Sequence, residues 1–105
     1  MYKPDEKKWK NFSRSQQLGH IAAELARATN AALQNGQEEK QWAKEAYDRA
    51  LILIDACLND TQWKGKASYL YRLRDVMASE YMGDQNPAVT RFLSFELLEN
   101  LKNFQ

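Results

Sequence analysis

The sequence predicts an all-α fold, and three features lead to this prediction. Apolar residues recur at three- and four-residue steps over most of the chain, as they do on one face of a helix. No stretch alternates strictly between apolar and polar residues, as a half-buried strand would. Clusters of turn-forming residues interrupt the pattern at 35–36, 59–61 and 83–87. We therefore expect one domain, a compact up-and-down bundle of four helices with short loops.

The turn clusters also set the expected bounds of each element. Residues 1–12 form a charged N-terminal arm, which is either a short helix or a segment that docks the rings of Trp9 and Phe12. The single domain at 1–105 then contains four helices, at about 14–35, 37–59, 61–82 and 87–103.

Residues typical of helix ends support these bounds. Ser13 or Ser15 is expected to cap the first long helix. Gly36 suits a left-handed residue at the end of that helix. Asn86 is expected to cap the last helix, with Pro87 at its first position, where the missing N–H does no harm.

The apolar spacing predicts which face of each helix enters the core. The second predicted helix, 37–59, is apolar on all sides near 51–54, so we expect it to be the central helix. The first helix carries a seam of Leu18, Ile21, Leu25, Ala28 and Ala32. The third helix carries a core face of Leu70, Leu73, Val76 and Met77.

Bulk composition excludes several classes of protein. The 105 residues carry a formal net charge of +1, too small for a strong field of either sign. The single cysteine, Cys57, excludes an internal disulfide and is expected to be buried. The polar start does not resemble a signal peptide, and no apolar run approaches the ~20 residues of a membrane span. We expect a cytoplasmic protein without membrane contact.

The sequence contains no convincing catalytic, metal or phosphate-binding arrangement, which favours a protein that is not an enzyme. His20 is the only histidine, and no serine or cysteine lies close in sequence to pair with it. There is no cluster of histidines and cysteines at metal-ligand spacing, and no glycine-rich phosphate loop. We expect no catalytic residues, no metal and no cofactor.

Arg14 and His20 are separated by five residues. This spacing resembles the signature of the prokaryotic HEPN family, all-helical proteins that include ribonucleases and partners of nucleotidyltransferases. The resemblance implies that Arg14 would bind phosphate while His20 assists attack by a ribose hydroxyl. It implies a protein associated with RNA or a nucleotide.

A second resemblance lies in the second predicted helix. Ala43, Tyr47 and Ala50 follow the pattern of an alanine, three residues, an aromatic, two residues and an alanine. This is similar to the second helix of a tetratricopeptide repeat. The resemblance covers half a repeat and implies an antiparallel helical hairpin, as in protein–protein interaction modules.

The segment 63–74 is the best basic and aromatic cluster in the chain. Its cations alternate with Trp63, Tyr69 and Tyr71, which is typical of contacts to nucleic acid. The alternative is that these rings pack in the core while the cations are solvated or pair with the acidic second helix. The cations that could contact an anion or RNA are Lys64, Lys66, Arg72 and Arg74.

The last helix carries more apolar side chains than one docking face needs. Val89, Leu93, Leu97, Leu101 and Phe104 share about one third of the helix circumference. Phe92, Phe95 and Leu98 lie outside that arc. Large apolar groups on a second face indicate an interface, so we expect these three residues to form an interaction surface for self-association or for another protein partner. The alternative is that they pack on Trp9 and Phe12 of the N-terminal arm or on the second helix.

These observations favour a small non-enzymatic interaction or scaffold protein, acting through its last helix as a homodimer. The alternative is a HEPN-like protein that contacts RNA or a nucleotide through Arg14, His20 and the basic segment.

Overall fold

The computed structural model of the chain describes residues 2–34, 36–83 and 86–104. All regular secondary structure in these residues is helical, which confirms the all-α prediction. Asn35, Asp84 and Gln85, which the sequence assigns to two of the loops, lie outside the described residues. The helices are α1 (Glu6–Asn11), α2 (Arg14–Ala32), α3 (Gln37–Leu58), α4 (Ala67–Met82) and α5 (Pro87–Asn100), with 3₁₀ turns at Thr61–Trp63 and Leu101–Phe104.

The N-terminal arm contains a short helix, α1, that docks on the bundle. The Asp5 side chain caps α1 by accepting a hydrogen bond from the backbone N–H of Lys8. Ser13 then caps α2 in a capping box with Gln16, so the predicted cap at Ser13 is confirmed. Because two caps stand only eight residues apart, the chain turns between α1 and α2 and buries Trp9 against the core.

Gly36 does not have the predicted left-handed conformation. Its φ is −81° and its ψ is 163°, which is extended backbone, and it serves as the N-cap residue of α3. Helix α2 ends at Ala32 rather than near residue 35, and Leu33 closes it with a backbone bond to Thr29.

The third predicted helix begins six residues later than the expected residue 61. Thr61–Trp63 is a 3₁₀ turn capped by the Asp60 side chain, and Gly65 follows with a φ of +85°. A positive φ is incompatible with a right-handed helix, so α4 starts beyond it at Ala67. The capping residues at 60–61 therefore start a turn and not the long helix.

Helix α5 begins at Pro87, as the sequence predicts. The Asn86 side chain accepts a hydrogen bond from the N–H of Ala88, and Pro87 occupies the first helical position. The regular helix ends at Asn100, and a 3₁₀ turn carries the chain on to Phe104.

Helices α2 and α3 share the central position, so the prediction that the second long helix alone is central needs correction. Helix α2 packs on α3, on α5 and on the C-terminal 3₁₀ turn, while α3 also packs on α4. Side-chain contacts join Glu24 to Arg49 and Gln17 to Cys57, so α2 and α3 run antiparallel. The fully buried core side chains include Leu18, Ile21, Leu25, Ile54, Leu70 and Met77.

Candidate interaction surface

One face of α5 is bound to the rest of the molecule. Leu93 and Leu97 are buried in the core, and Val89 packs against its edge. Two polar contacts fix the same face: the Ser94 hydroxyl donates to the carbonyl oxygen of Ala22, 3.1 Å away, and Thr90 is hydrogen-bonded to the Tyr47 hydroxyl. The predicted docking arc is therefore the face that α5 turns to the core.

The opposite face of α5 carries three large apolar side chains. Phe92, Phe95 and Leu98 are 64%, 57% and 49% exposed. They follow one another at three-residue steps, so each is turned about 60° from the next along a continuous ridge of the helix. The Arg91 guanidinium lies 6.0 Å from the centre of the Phe95 ring. We call Phe92, Phe95 and Leu98 the α5 ridge.

A groove runs beside the ridge between α4 and α5, with a volume of about 260 Å³. It exists because the closest backbone packing joins α4 to α3 and α5 to α2, which leaves α4 and α5 apart. Val76 was expected in the core, but it lines this groove and is 42% exposed because α5 is too far away to cover it. The walls are Tyr69, Arg72, Leu73 and Val76 from α4 and Leu93, Glu96 and Leu97 from α5.

The rings of the basic segment are divided between core and surface. Trp63 is buried, and both Trp63 and Tyr69 pack 5.2 Å from the ring of Phe104. Burial raises the pKa of the Tyr69 phenol, and the charge of Glu96 raises it further. Tyr71 is 57% exposed. Two of the three rings therefore pack against Phe104, and Tyr71 is the most exposed of the three.

The cations of that segment do not form one site. The Arg74 Nε donates to Asp55 of α3 at 2.6 Å, and this bond raises the pKa of Arg74. Lys64 and Lys66 lie exposed in the turn around Gly65, and Arg72 is exposed on the wall of the groove.

Arg14 and His20 are also separated. The Arg14 Nη1 donates to the backbone carbonyl of Gln62 at 2.9 Å, which ties α2 to the 3₁₀ turn. The exposed His20 ring packs 4.8 Å from the ring of Phe12. Six helical residues place the two side chains about 120° apart around α2, so they do not converge on one phosphate.

A buried polar cluster at the start of α2 was not predicted. The fully buried Gln17 amide donates to the Trp9 carbonyl at 2.8 Å and to Asp60 at 3.0 Å. Its oxygen accepts from the Trp63 indole N–H at 2.6 Å and from the Cys57 thiol at 3.6 Å. We call these side chains the Gln17 cluster. The one signal in the sequence is that a glutamine interrupts the apolar face beside Leu18.

Two ionisable groups of the cluster have shifted pKa values. Burial by itself raises the pKa of the Asp60 carboxyl, but hydrogen bonds from Gln17 and Gln62 outweigh it and bring the pKa below its ordinary value. Burial raises the pKa of the Cys57 thiol far above its usual range. Cys57 is fully buried, as expected, and is protonated at neutral pH.

A second buried charge was also missed. Glu24 of α2 is only 6% exposed and accepts from Arg27 on its own helix and from the Nε of Arg49 on α3, at 2.5 Å. Both of its oxygens have a cationic partner, so replacing Arg49 would leave this buried charge only partly compensated.

Within residues 2–34, 36–83 and 86–104, no group of three or more histidine, cysteine or acidic side chains is arranged to hold a metal ion. No helix in the same residues combines the length and the apolar character that crossing a bilayer requires.

Comparison of the chain with protein-family models, with curated proteins and with solved structures found no match. The tetratricopeptide-like and HEPN-like resemblances therefore stay predictions. The candidate site is defined by the chain's own geometry: the α5 ridge and the groove next to it.

Proposed function

We propose that this chain is a non-enzymatic protein–protein interaction module that self-associates through the α5 ridge. The observation that carries the proposal is that the three ridge residues, each a large apolar side chain, are 49–64% exposed on a helix whose other face is already docked. Single exposed apolar residues are common on soluble proteins, but a contiguous row is typical of an interface.

The expected strength of association follows from the area of the ridge. Half-exposed aromatic and leucine side chains present roughly 300 Å² per copy. Burying this area on two copies contributes about 15 kcal/mol at 25 cal/mol per Å². Association costs an estimated ~4–15 kcal/mol of lost freedom, so we expect a weak, concentration-dependent dimer.

The scaffold in this proposal is an up-and-down bundle of α2 to α5 in a cytoplasmic protein. The antiparallel α2–α3 hairpin and the short connections of the described chain support the bundle. A single buried, unpaired cysteine fits a reducing compartment. The groove beside the ridge adds apolar surface on Val76 and Leu93 that a partner side chain could enter.

Solution mass with a ridge variant tests the proposal. Phe95→Glu places a charge in the middle of the ridge, and we expect a folded monomer at concentrations where the native chain is dimeric. Tyr71→Glu is the matched control, because Tyr71 is equally exposed but lies on α4 outside the ridge. An unchanged dimer of the Phe95→Glu variant would overturn the proposal.

A second candidate, association with RNA or a nucleotide, is favoured by the exposure of Lys64, Lys66 and Arg72 on one segment. In this alternative the cations contact phosphates, and retention of RNA falls steeply with salt. The test is RNA retention by the native chain and by a variant with all three cations changed to alanine. Arg74 is left unchanged, because its loss would disturb the bond to Asp55.

A further inference from the structure

Two opposite charges flank the α5 ridge at equal distances from its centre. Arg91 lies four residues before Phe95, and Glu99 lies four residues after it. Four residues are about 40° of rotation, so both side chains project on the same side of α5 as Phe95. Both are exposed, and neither forms an ion pair with another residue of the described chain.

This arrangement distinguishes between two ways of pairing α5 with another α5. In a parallel pair, Arg91 faces Arg91 and Glu99 faces Glu99, so two like-charge contacts oppose association. In an antiparallel pair centred on Phe95, each Arg91 lies at the same height as a Glu99 of the other copy. The two Phe95 rings meet at the centre, opposite charges meet at both ends, and Phe92 and Leu98 cover the two flanks of the contact.

We infer that the partner of the α5 ridge is a second copy of this chain, packed antiparallel about a two-fold axis that passes through Phe95. Arg91 of each copy pairs with Glu99 of the other. This inference rests on the proposed function and adds the partner, its orientation and its register. The exposed ion pairs contribute mainly orientation, while the three apolar side chains contribute the attraction.

The placement of Arg91 before Phe95 and Glu99 after it makes the ridge self-complementary. A two-fold contact needs a surface that matches itself after a half-turn, and a half-turn about Phe95 exchanges Arg91 with Glu99 and Phe92 with Leu98. The ridge is small beside the ~800 Å² that each partner of a standard interface buries. The neighbouring rim of the α4–α5 groove, with Arg72 and Val76, is the surface that adjoins it.

Charge reversal tests the orientation. Arg91→Glu alone and Glu99→Arg alone each create two like-charge contacts in the antiparallel pair, and we expect the dimer dissociation constant to rise about tenfold at low salt. The double variant Arg91→Glu/Glu99→Arg restores both attractive contacts and should dimerise like the native chain. Asp48→Arg, an exposed reversal on α3, is the matched control and should have no effect.

The outcomes separate this inference from the proposed function. If Phe95→Glu abolishes the dimer but the single charge reversals leave it unchanged, the ridge is the interface and the antiparallel register is wrong. If Phe95→Glu has no effect, the proposed function itself fails. A difference between single and double variants that disappears at about 1 M salt, where the Debye length is 3 Å, supports the register.

Cysteine crosslinking gives an independent test. In the antiparallel pair, residue 95 meets its own copy, so Phe95→Cys should form a disulfide-linked dimer on mild oxidation. The two residues 99 stand about 12 Å apart along the axis, so Glu99→Cys should not. Equal crosslinking at both positions would overturn the antiparallel register. The native Cys57 does not interfere, because it is fully buried.

Discussion

The start of α2 and the outer face of α5 differ in where they place side chains that are unusual for their position. At the start of α2, polar groups lie inside the protein, and the hydrogen bonds of the Gln17 cluster join α1, α2, α3 and the 3₁₀ turn. On α5, apolar groups lie outside the protein, and Phe92, Phe95 and Leu98 contact solvent. The four hydrogen bonds of Gln17 are made within one chain, whereas the α5 ridge faces solvent.

The buried polar region stabilises the fold, whereas the exposed apolar region is available for recognition. A buried amide is destabilising unless nearly all of its bonds are made, and Gln17 makes four. An exposed phenylalanine stabilises the isolated chain very little. We therefore expect mutations in the Gln17 cluster to change the free energy of unfolding, and mutations in the α5 ridge to change association alone.

Removing the Trp63 ring should have the largest effect on stability. Trp63 is 1% exposed, packs on Phe104 and donates to Gln17. Trp63→Ala should lower the free energy of unfolding by about 3–5 kcal/mol in a urea titration. Tyr71→Ala, which removes an exposed aromatic of the next helix, should change it by less than ~0.5 kcal/mol. Similar values for the two variants would contradict the division into two regions.

Removing the Gln17 amide should have the second largest effect on the free energy of unfolding. Gln17→Met keeps the length of the side chain but leaves the Trp63 indole N–H and the Trp9 carbonyl without their partner. We expect a loss of about 2–3 kcal/mol, because buried polar groups would become unsatisfied. Gln41→Met on the exposed face of α3 is the control. Equal stabilities would show that the hydrogen bonds of Gln17 are not needed.

Asp60 should make stability depend on acid pH. Its pKa is lower in the folded chain than in the unfolded one, so the charged carboxylate stabilises the fold. This contribution is complete above the ordinary pKa of 3.8 and is lost as the pH falls through the lowered folded value. Asp60→Asn should cost about 1–2 kcal/mol at pH 7 and progressively less at acid pH. A constant difference from pH 7 to pH 2 would contradict this.

The smallest change in stability is expected on the ridge. Phe95→Ser removes a side chain that packs on nothing in the core, so the free energy of unfolding of the monomer should change by no more than ~0.5 kcal/mol. This change is measured by thermal or urea unfolding of a dilute sample, at a concentration where the chain is monomeric. A loss above ~2 kcal/mol would show that Phe95 belongs to the fold.

Local patterns in the sequence were enough to predict the helical fold, the cap at Ser13, the start of α5 and the excess apolar face of α5. Each of these depends on residues within one or two turns of each other. The predicted start of α4 at residue 61 was wrong because the sequence alone did not show that Gly65 would take a positive φ. Either a helix or a turn can follow Asp60 and Thr61.

The rest of the site depends on contacts between distant segments. Gln17 meets Trp63 across 46 residues, and Glu24 meets Arg49 across 25, so neither contact follows from helical spacing. The exposure of Val76 depends on how far α4 stands from α5, which no periodicity encodes. The segment 63–74 looked like one basic surface because sequence proximity does not show that Trp63 faces inward and Arg74 faces Asp55.

The most direct test of self-association is the solution mass of the native chain and of Phe95→Glu, measured by sedimentation equilibrium over a wide range of concentrations. We predict that the native chain approaches twice the mass of one chain as concentration rises, and that Phe95→Glu remains at the mass of one chain. A native chain that is still monomeric at about 1 mM, where a dimer would be stabilised by only ~4 kcal/mol, would contradict it. So would a dimer that the Phe95→Glu variant forms equally well.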